Sequence, residues 1–215
     1  MRLLWIVPVL LVALICGCPT SGTRRQPATP PDTPQTVPAN VPSEQPPETV
    51  PALTFTVTDP AGAVVLGVDS DLTVEGKQGT LGKLKLDGKV VKIDDPSGTK
   101  IGSVKVENQE LIVDDAQGKK LFRMAPKDGG YRVKDAQSTT LLKIKPDDNG
   151  FKLGDDAGKK LGKGKKKGAD TIISDANGEE LYRVKGAIRP NVAGVLIVPE
   201  ITPIQKAALI FAASL

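Results

Sequence analysis

Leu111-Ile112-Val113-Asp114-Asp115-Ala116-Gln117-Gly118, followed by Leu121 and Met124, is the stretch from which the rest of the chain can be read. Its form is apolar-x-apolar-x-Asp-x-x-Gly, with apolar residues three and six positions after the Gly. Copies stand at Phe55–Gly62, Val91–Gly98, Tyr131–Ser138, Phe151–Gly158 and Thr171–Gly178. A weaker one begins at Leu72, with Gly76 in the Asp place and Gly79 in the Gly place. The Asp place thus falls at 59, 76, 95, 115, 135, 155 and 175, and the last four intervals are twenty residues each.

Alternating apolar residues mark a half-buried strand. Asp at the first turn position, Pro at the second (Asp59-Pro60, Asp95-Pro96) and Gly at the fourth suit a type I turn, with the Gly in the left-handed conformation of a bulge. Ser138 replaces that Gly once, which predicts strain or a changed turn. Asp87-Gly88, Lys127–Gly130 and Asp147–Gly150 supply turns between the copies. Short turns at both ends predict consecutive antiparallel strands, an up-and-down meander of about fourteen. The return strands read Leu121-Phe122-Arg123-Met124, Leu141-Leu142-Lys143-Ile144 and Leu181-Tyr182-Arg183-Val184. Their second and fourth residues share a face and the first is expected on the other. That pattern predicts a sheet curled into a barrel and covered in places outside.

Thr202-Pro203-Ile204-Gln205 combines an N-cap, a first-turn proline and a capping-box Gln, so a helix is expected over 203–214. From Ala207 to Ala213 it is apolar on every side, which predicts enclosure. Twelve residues reach about 18 Å, too short for a bilayer. Ala193–Val198 is an apolar lead-in. The fold class expected is all-β, a meander closing into a barrel with a buried hydrophobic C-terminal helix. A single-layer meander like that of spirochaetal outer-surface lipoproteins, with the helix at one end, is the alternative.

The N-terminal third reads differently. Met1-Arg2 precedes a thirteen-residue apolar run, Leu3–Ile15, about 20 Å as a helix and shorter than a bilayer core. It reads as the core of a secretory signal over 1–17. Ile15-Cys16-Gly17-Cys18 resembles the bacterial lipobox, which implies lipidation of the Cys18 thiol and a mature chain held to a membrane by acyl chains such as palmitate. Pro19, in place of an inner-membrane Asp signal, is similar to the enteric sorting pattern, and that resemblance implies the outer rather than the inner membrane. Residues 18–51 carry ten prolines and no apolar period, a disordered tether in expectation. The folded domain is expected over 52–215.

Composition excludes much chemistry. Among 215 residues there is no histidine, and the cysteines are Cys16 and Cys18 alone. Histidine-dependent acid–base catalysis, Ser-His-Asp and Cys-His nucleophiles, and Cys/His zinc sites are therefore out. No glycine-rich phosphate loop precedes a helix. The aspartates lack the spacing of a calcium loop and are expected to accept N–H groups of their own turns. No cofactor and no catalysis are expected. The uneven feature is Lys159-Lys160-Leu161-Gly162-Lys163-Gly164-Lys165-Lys166-Lys167, six lysines in nine residues. Such a cluster can hold anionic headgroups, or it can be a solvated strand that blocks edge pairing. Nucleic acid is not expected as a partner of an exported chain with six aromatics outside the signal.

The hairpin form Tyr131-Arg132-Val133-x-Asp135 with Leu141-Leu142-x-Ile144, closed by an apolar helix, resembles the tubby C-terminal / LURP-one / phospholipid-scramblase superfamily over residues 55–215. The resemblance implies a β-barrel around a central hydrophobic helix, and phosphoinositide contact. The chain departs by its regular repeats and by fourteen strands where the family barrel has twelve, so the first two copies would lie outside the barrel or fuse with it. The functional expectation is a membrane-anchored, non-catalytic module of the cell envelope that binds lipid or another anionic amphiphile through Lys159, Lys160, Lys163, Lys165, Lys166 and Lys167. The alternative is a structural lipoprotein that offers strand edges or loops to an envelope protein.

Overall fold

The computed structural model describes residues 54–215. The signal over 1–17, Cys18 and the linker over 18–51 lie outside the described residues. Fourteen strands follow one another: β1 Phe55–Thr58, β2 Val64–Val68, β3 Thr73–Gly76, β4 Gly79–Asp87, β5 Val90–Asp94, β6 Lys100–Glu107, β7 Glu110–Asp115, β8 Lys120–Lys127, β9 Gly130–Asp135, β10 Thr140–Asp147, β11 Gly150–Gly154, β12 Lys160–Lys167, β13 Asp170–Asp175 and β14 Glu180–Gly186. A 3-10 helix, Pro190–Ile197, and α1, Pro203–Ala212, complete the chain.

Each strand pairs antiparallel with the next, and β1 pairs with both β2 and β14. The sheet is a closed barrel with no edge strand. This removes the single-layer alternative, and it fuses the first two copies into the barrel. It also leaves the β12 lysines no edge to protect and a partner protein no strand edge to join.

One end of the barrel carries the repeat turns. Gly62, Gly98, Gly118, Gly158 and Gly178 have φ between 81° and 97°, and each donates its N–H to the carbonyl of the turn aspartate. The aspartate side chains cap the same turns. Asp95 Oδ1 accepts the N–H groups of Ser97 and Thr99, and Asp115 Oδ1 those of Gln117 and Lys119. Ser138 keeps the turn unchanged, at φ 69°. The opposite end has two-residue turns, such as Asn108-Gln109 and Asp128-Gly129.

The return strands differ from the expectation. Val113 pairs with Phe122 but Asp114 with Lys120, so Leu121 is the unpaired residue of a β-bulge. The same break recurs in every hairpin of this end, at Val65, Leu81, Ile101, Leu141, Leu161 and Leu181. A bulge inserts one residue against none and bends the strand. The leading apolar residue is therefore an insertion in the ladder rather than the far face of a flat strand. Val65, Leu81, Leu141 and Leu161 pack against the core, and no layer covers the outside among the described residues.

The lumen is filled by two helices rather than one. α1 packs against β2–β7 and the 3-10 helix against β9–β13, and the two touch each other. Barrel width grows with strand number, and side chains alone fill only about eight strands. At fourteen, wall residues such as Val104, Val133, Phe151 and Val184 share one core with Val192, Val195, Leu209 and Phe211 from the helices, all of them buried. α1 is two residues shorter than expected, and Thr202 N–H donates to Gln205 Oε1 at 3.1 Å at its start. Inward glycines let bulk pass: a Cβ on Gly164 would overlap the Phe151 ring, and one on Gly82 would meet Ile204 Cδ1 at 2.7 Å.

Candidate functional site

The pleat of β12 divides the lysine cluster. Gly162 and Gly164 face the lumen, so Lys163, Lys165 and Lys167 stand on the outer face. Lys166 falls on the other face and lines a mouth cavity at the two-residue-turn end. Lys159 sits in the Asp155 turn, where its backbone N–H donates to Asp155 Oδ1 at 2.8 Å. Lys160 reaches sideways, its ammonium donating to the Ala176 carbonyl at 2.7 Å. The six lysines do not form one site. Four share the outer wall, one belongs to a turn and one to the mouth.

Neighbouring strands supply what the cluster lacks. Lys152 lies directly opposite Lys163 across β11–β12, and Lys145 directly opposite Lys152 across β10–β11. Like charges in direct opposition destabilise a sheet. Three in a row therefore concentrate positive charge on one patch of wall. A groove of about 430 Å³ opens there, lined by Lys143, Lys145, Lys152, Lys160 and Lys163, together with Asp147, Asp155, Leu153, Gly154 and Gly158.

Two of the cations are already committed. Lys143 Nζ is 3.0 Å from Asp156 Oδ1 and donates to the Asp156 carbonyl at 2.8 Å. Lys152 Nζ is 2.8 Å from Asp147 Oδ1. Hydrogen bonding to Lys152 holds the Asp147 carboxyl below its ordinary range, and the same contact raises Lys152. Lys143 does likewise to Asp156. Among the described residues Lys145, Lys160 and Lys163 make no ion pair.

Lys143, Lys145, Lys152 and Gly154 were not singled out in the sequence, because each lies outside the lysine run. The signal that finds them is the repeat itself. Aligned by twenties, the residue before the turn aspartate is Asp94, Asp114, Lys134, Gly154 and Ser174, and acid gives way to base or to nothing midway round the barrel.

The mouth cavity, about 750 Å³, is lined by Tyr131, Pro146, Phe151, Lys166, Arg189 and Pro190 among others. A smaller one beside it shares Tyr131 and Arg189 and reaches Leu215. Inside the barrel Lys206 donates to the Leu196 carbonyl at 3.0 Å, and burial lowers its pKa. It ties α1 to the 3-10 helix. No cluster of three or more His, Cys, Asp or Glu able to hold a metal occurs among the described residues.

No protein-family model matches this sequence, and no curated protein matches it. Among solved structures, the X-ray structure of a protein from Arabidopsis thaliana is similar at 14% identity, covering 66% of this chain and 83% of that one, with a TM-score of 0.35. So distant a likeness transfers no site to this barrel.

Proposed function

We propose that the chain is a lipid-anchored protein of the cell envelope whose barrel is a non-catalytic module for an anionic amphiphile, docked on the outer wall of β10–β12. The lipobox at Ile15–Cys18 would supply the anchor, at the outer rather than the inner membrane, and the wall would supply the contact. A tubby-like relationship remains part of this reading, supported by the enclosed apolar helix within a closed antiparallel barrel.

The observation that carries the reading is the lysine groove. Five ammonium-bearing chains border one concavity whose lining includes Gly154 and Gly158, and three of them have no carboxylate within ion-pair reach among the described residues. Each lysine near an anionic surface contributes about 1 kcal/mol, and the attraction fades over a Debye length of about 10 Å at 0.1 M salt. Docking needs no turnover, which suits a chain without histidine or a free thiol in its barrel.

The test is vesicle flotation of the barrel from residue 52 onward at low salt. Anionic vesicles should retain about fivefold or more over neutral ones. The preference should collapse on changing Lys145, Lys152, Lys160 and Lys163 to Ser, or at high salt. Equal retention on both vesicle types would end the reading. Salt-insensitive capture of one envelope protein, unaffected by the lysine changes, would replace it with a protein-binding role for the loops.

A further inference from the structure

The barrel contains its own control for the groove. Lys83, Lys85, Asp87 and Lys92 of the β4–β5 hairpin stand three repeats before Lys143, Lys145, Asp147 and Lys152 of β10–β11. The two hairpins share one register. Lys83 pairs with Asp94 and Lys85 with Lys92; Lys143 pairs with Gly154 and Lys145 with Lys152. The flanking ion pair is reproduced too, Lys92–Asp87 at 2.6 Å against Lys152–Asp147 at 2.8 Å. The two differ at several positions, among them Asp156, which pairs with Lys143 where Pro96 offers Lys83 nothing, but the one that alters the groove stands just before the turn aspartate. Asp94 in the first hairpin is Gly154 in the second.

What Asp94 does shows what Gly154 leaves undone. Its side chain is only 8% exposed and its carboxylate lies 2.6 Å from Lys85 Nζ. The next hairpin repeats the device, with Asp114 at 3% exposure and 2.7 Å from Lys105 Nζ. In β10–β11 the lysine remains and the carboxylate is gone. The depression beside Lys83, Lys85 and Asp94 measures about 250 Å³, and its counterpart beside Lys143, Lys145 and Gly154 about 430 Å³. In the last hairpin Ser174 takes the same position and its side chain is buried, so the space is filled there. The adjoining strand differs as well, since Ser103 on β6 corresponds to Lys163 on β12.

We propose that the Gly154 groove is a phosphate-monoester site, in which an oxyanion of the ligand takes the place that an aspartate of the chain fills in the β4–β5 and β6–β7 hairpins. The inference rests on the lysine-face reading and narrows it to one position and one chemical group. A carboxylate would satisfy Lys145 alone, as Asp94 satisfies Lys85. Here Lys143, Lys152, Lys160 and Lys163 line the same space. A phosphate monoester carries about −1.5 to −2 charge and three acceptor oxygens, and so answers several ammonium groups at once. Gly154 is the selective residue, because any side chain there refills the space.

Gly154→Asp tests this directly. Gly154 is not in the left-handed region, and Asp94 and Asp114 occupy the same register, so the variant restores a side chain the repeat already accepts. The full chain in nonionic detergent is titrated at constant ionic strength with inorganic phosphate, followed through the Gly154 and Gly158 amide resonances. We expect saturable shifts in the parent, binding weakened at least tenfold by Gly154→Asp, and about fivefold by Lys145→Gln. Lys119→Gln, which removes one positive charge at a turn outside the groove, should stay within twofold. A folded Gly154→Asp protein that binds phosphate like the parent overturns the proposal, as does equal weakening by Lys119→Gln. Should Gly154→Asp fail to fold, Lys145→Gln decides in the same way. Glycerol phosphate matching inorganic phosphate assigns a soluble ligand. Phosphatidic-acid vesicles binding tenfold tighter, with the gain lost in Lys145→Gln, assign a lipid headgroup. If anionic vesicles are preferred while phosphate leaves Gly154 unmoved, this site fails and the broader lysine-face reading survives. If phosphate binds and vesicles are not distinguished, the membrane reading fails and the site survives.

Discussion

Position 138 places an L-residue where five sister turns place glycine. Its φ of 69° lies in the left-handed region, and its N–H donates to the Asp135 carbonyl at 3.1 Å as the glycines do in theirs. Asp135 Oδ1 also accepts the Thr139 N–H at 2.8 Å. These bonds hold the turn against a cost of about 1–2 kcal/mol for an L-residue in that conformation. Glycine would relieve the strain but lose more entropy on folding, about 0.5–1 kcal/mol. Ser138→Gly should therefore stabilise the barrel by about 0.5–1 kcal/mol, read as a higher urea midpoint with unchanged slope. A lower midpoint would show that the Ser side chain contributes something the turn bonds do not. At this scale the sequence was legible where chemistry is local. The turn aspartates, their glycines and the one exception could all be named from spacing. The lysine site was not, because a strand's pleat sends neighbours in sequence to opposite faces and gathers residues from three strands onto one.

Among the elements, α1 announced itself and its companion did not. Thr202, Pro203 and Gln205 are start signals that any chain would carry, and an all-round apolar surface has to be enclosed. Pro190–Ile197 offers no such period and holds Gly194, whose added Cβ would lie 2.8 Å from Leu153 Cδ2 and 2.9 Å from Ile144 Cδ1. Its helical state answers to the girth of the barrel, a property of fourteen strands together. The bulges were hidden for a related reason: an inserted leucine looks like alternation until the pairing is known. Since both helices are needed to fill the lumen, wall and filling should fail together. Phe211, fully buried, sits in α1. Phe211→Ala removes its packing and leaves a cavity, and should cost about 3–5 kcal/mol. The loss should appear as one cooperative transition of lower midpoint. Separate melting of helix and sheet signals would show that the filling is dispensable.

Closure gives the whole molecule a stability that ought to ignore physiological pH. Every strand has two neighbours, so its backbone groups are spent on ladders rather than on water or on other chains. Among the described residues the charged groups lie on the outer wall, in the turns and at the mouth, with Lys206 alone inside, and no histidine is present to titrate between pH 7 and 5. What does titrate is carboxylate. Asp87 and Asp147 are held below their ordinary pKa by hydrogen bonds from Lys92 and Lys152. Asp95 is lowered by the Ser97 hydroxyl and then by the Thr99 N–H. Asp175 is lowered although desolvation in its turn opposes the shift, because the N–H groups of Glu179, Gly178 and Asn177 all point at it. For each, the folded pKa lies below an unfolded value of about 3.9. Their stabilising effect is then complete above that value and is lost as pH falls through the folded one. The urea midpoint should stay level from pH 7 to 5 and drop below about pH 4. Salt separates the contributions. At 0.5 M NaCl the share owed to Asp87 and Asp147 should shrink by screening, while that of Asp95 and Asp175 persists, because their donors are N–H and hydroxyl groups of the same turn. A midpoint that falls between pH 7 and 5 would mean that some group other than the turn and wall carboxylates sets the acid limit of the barrel.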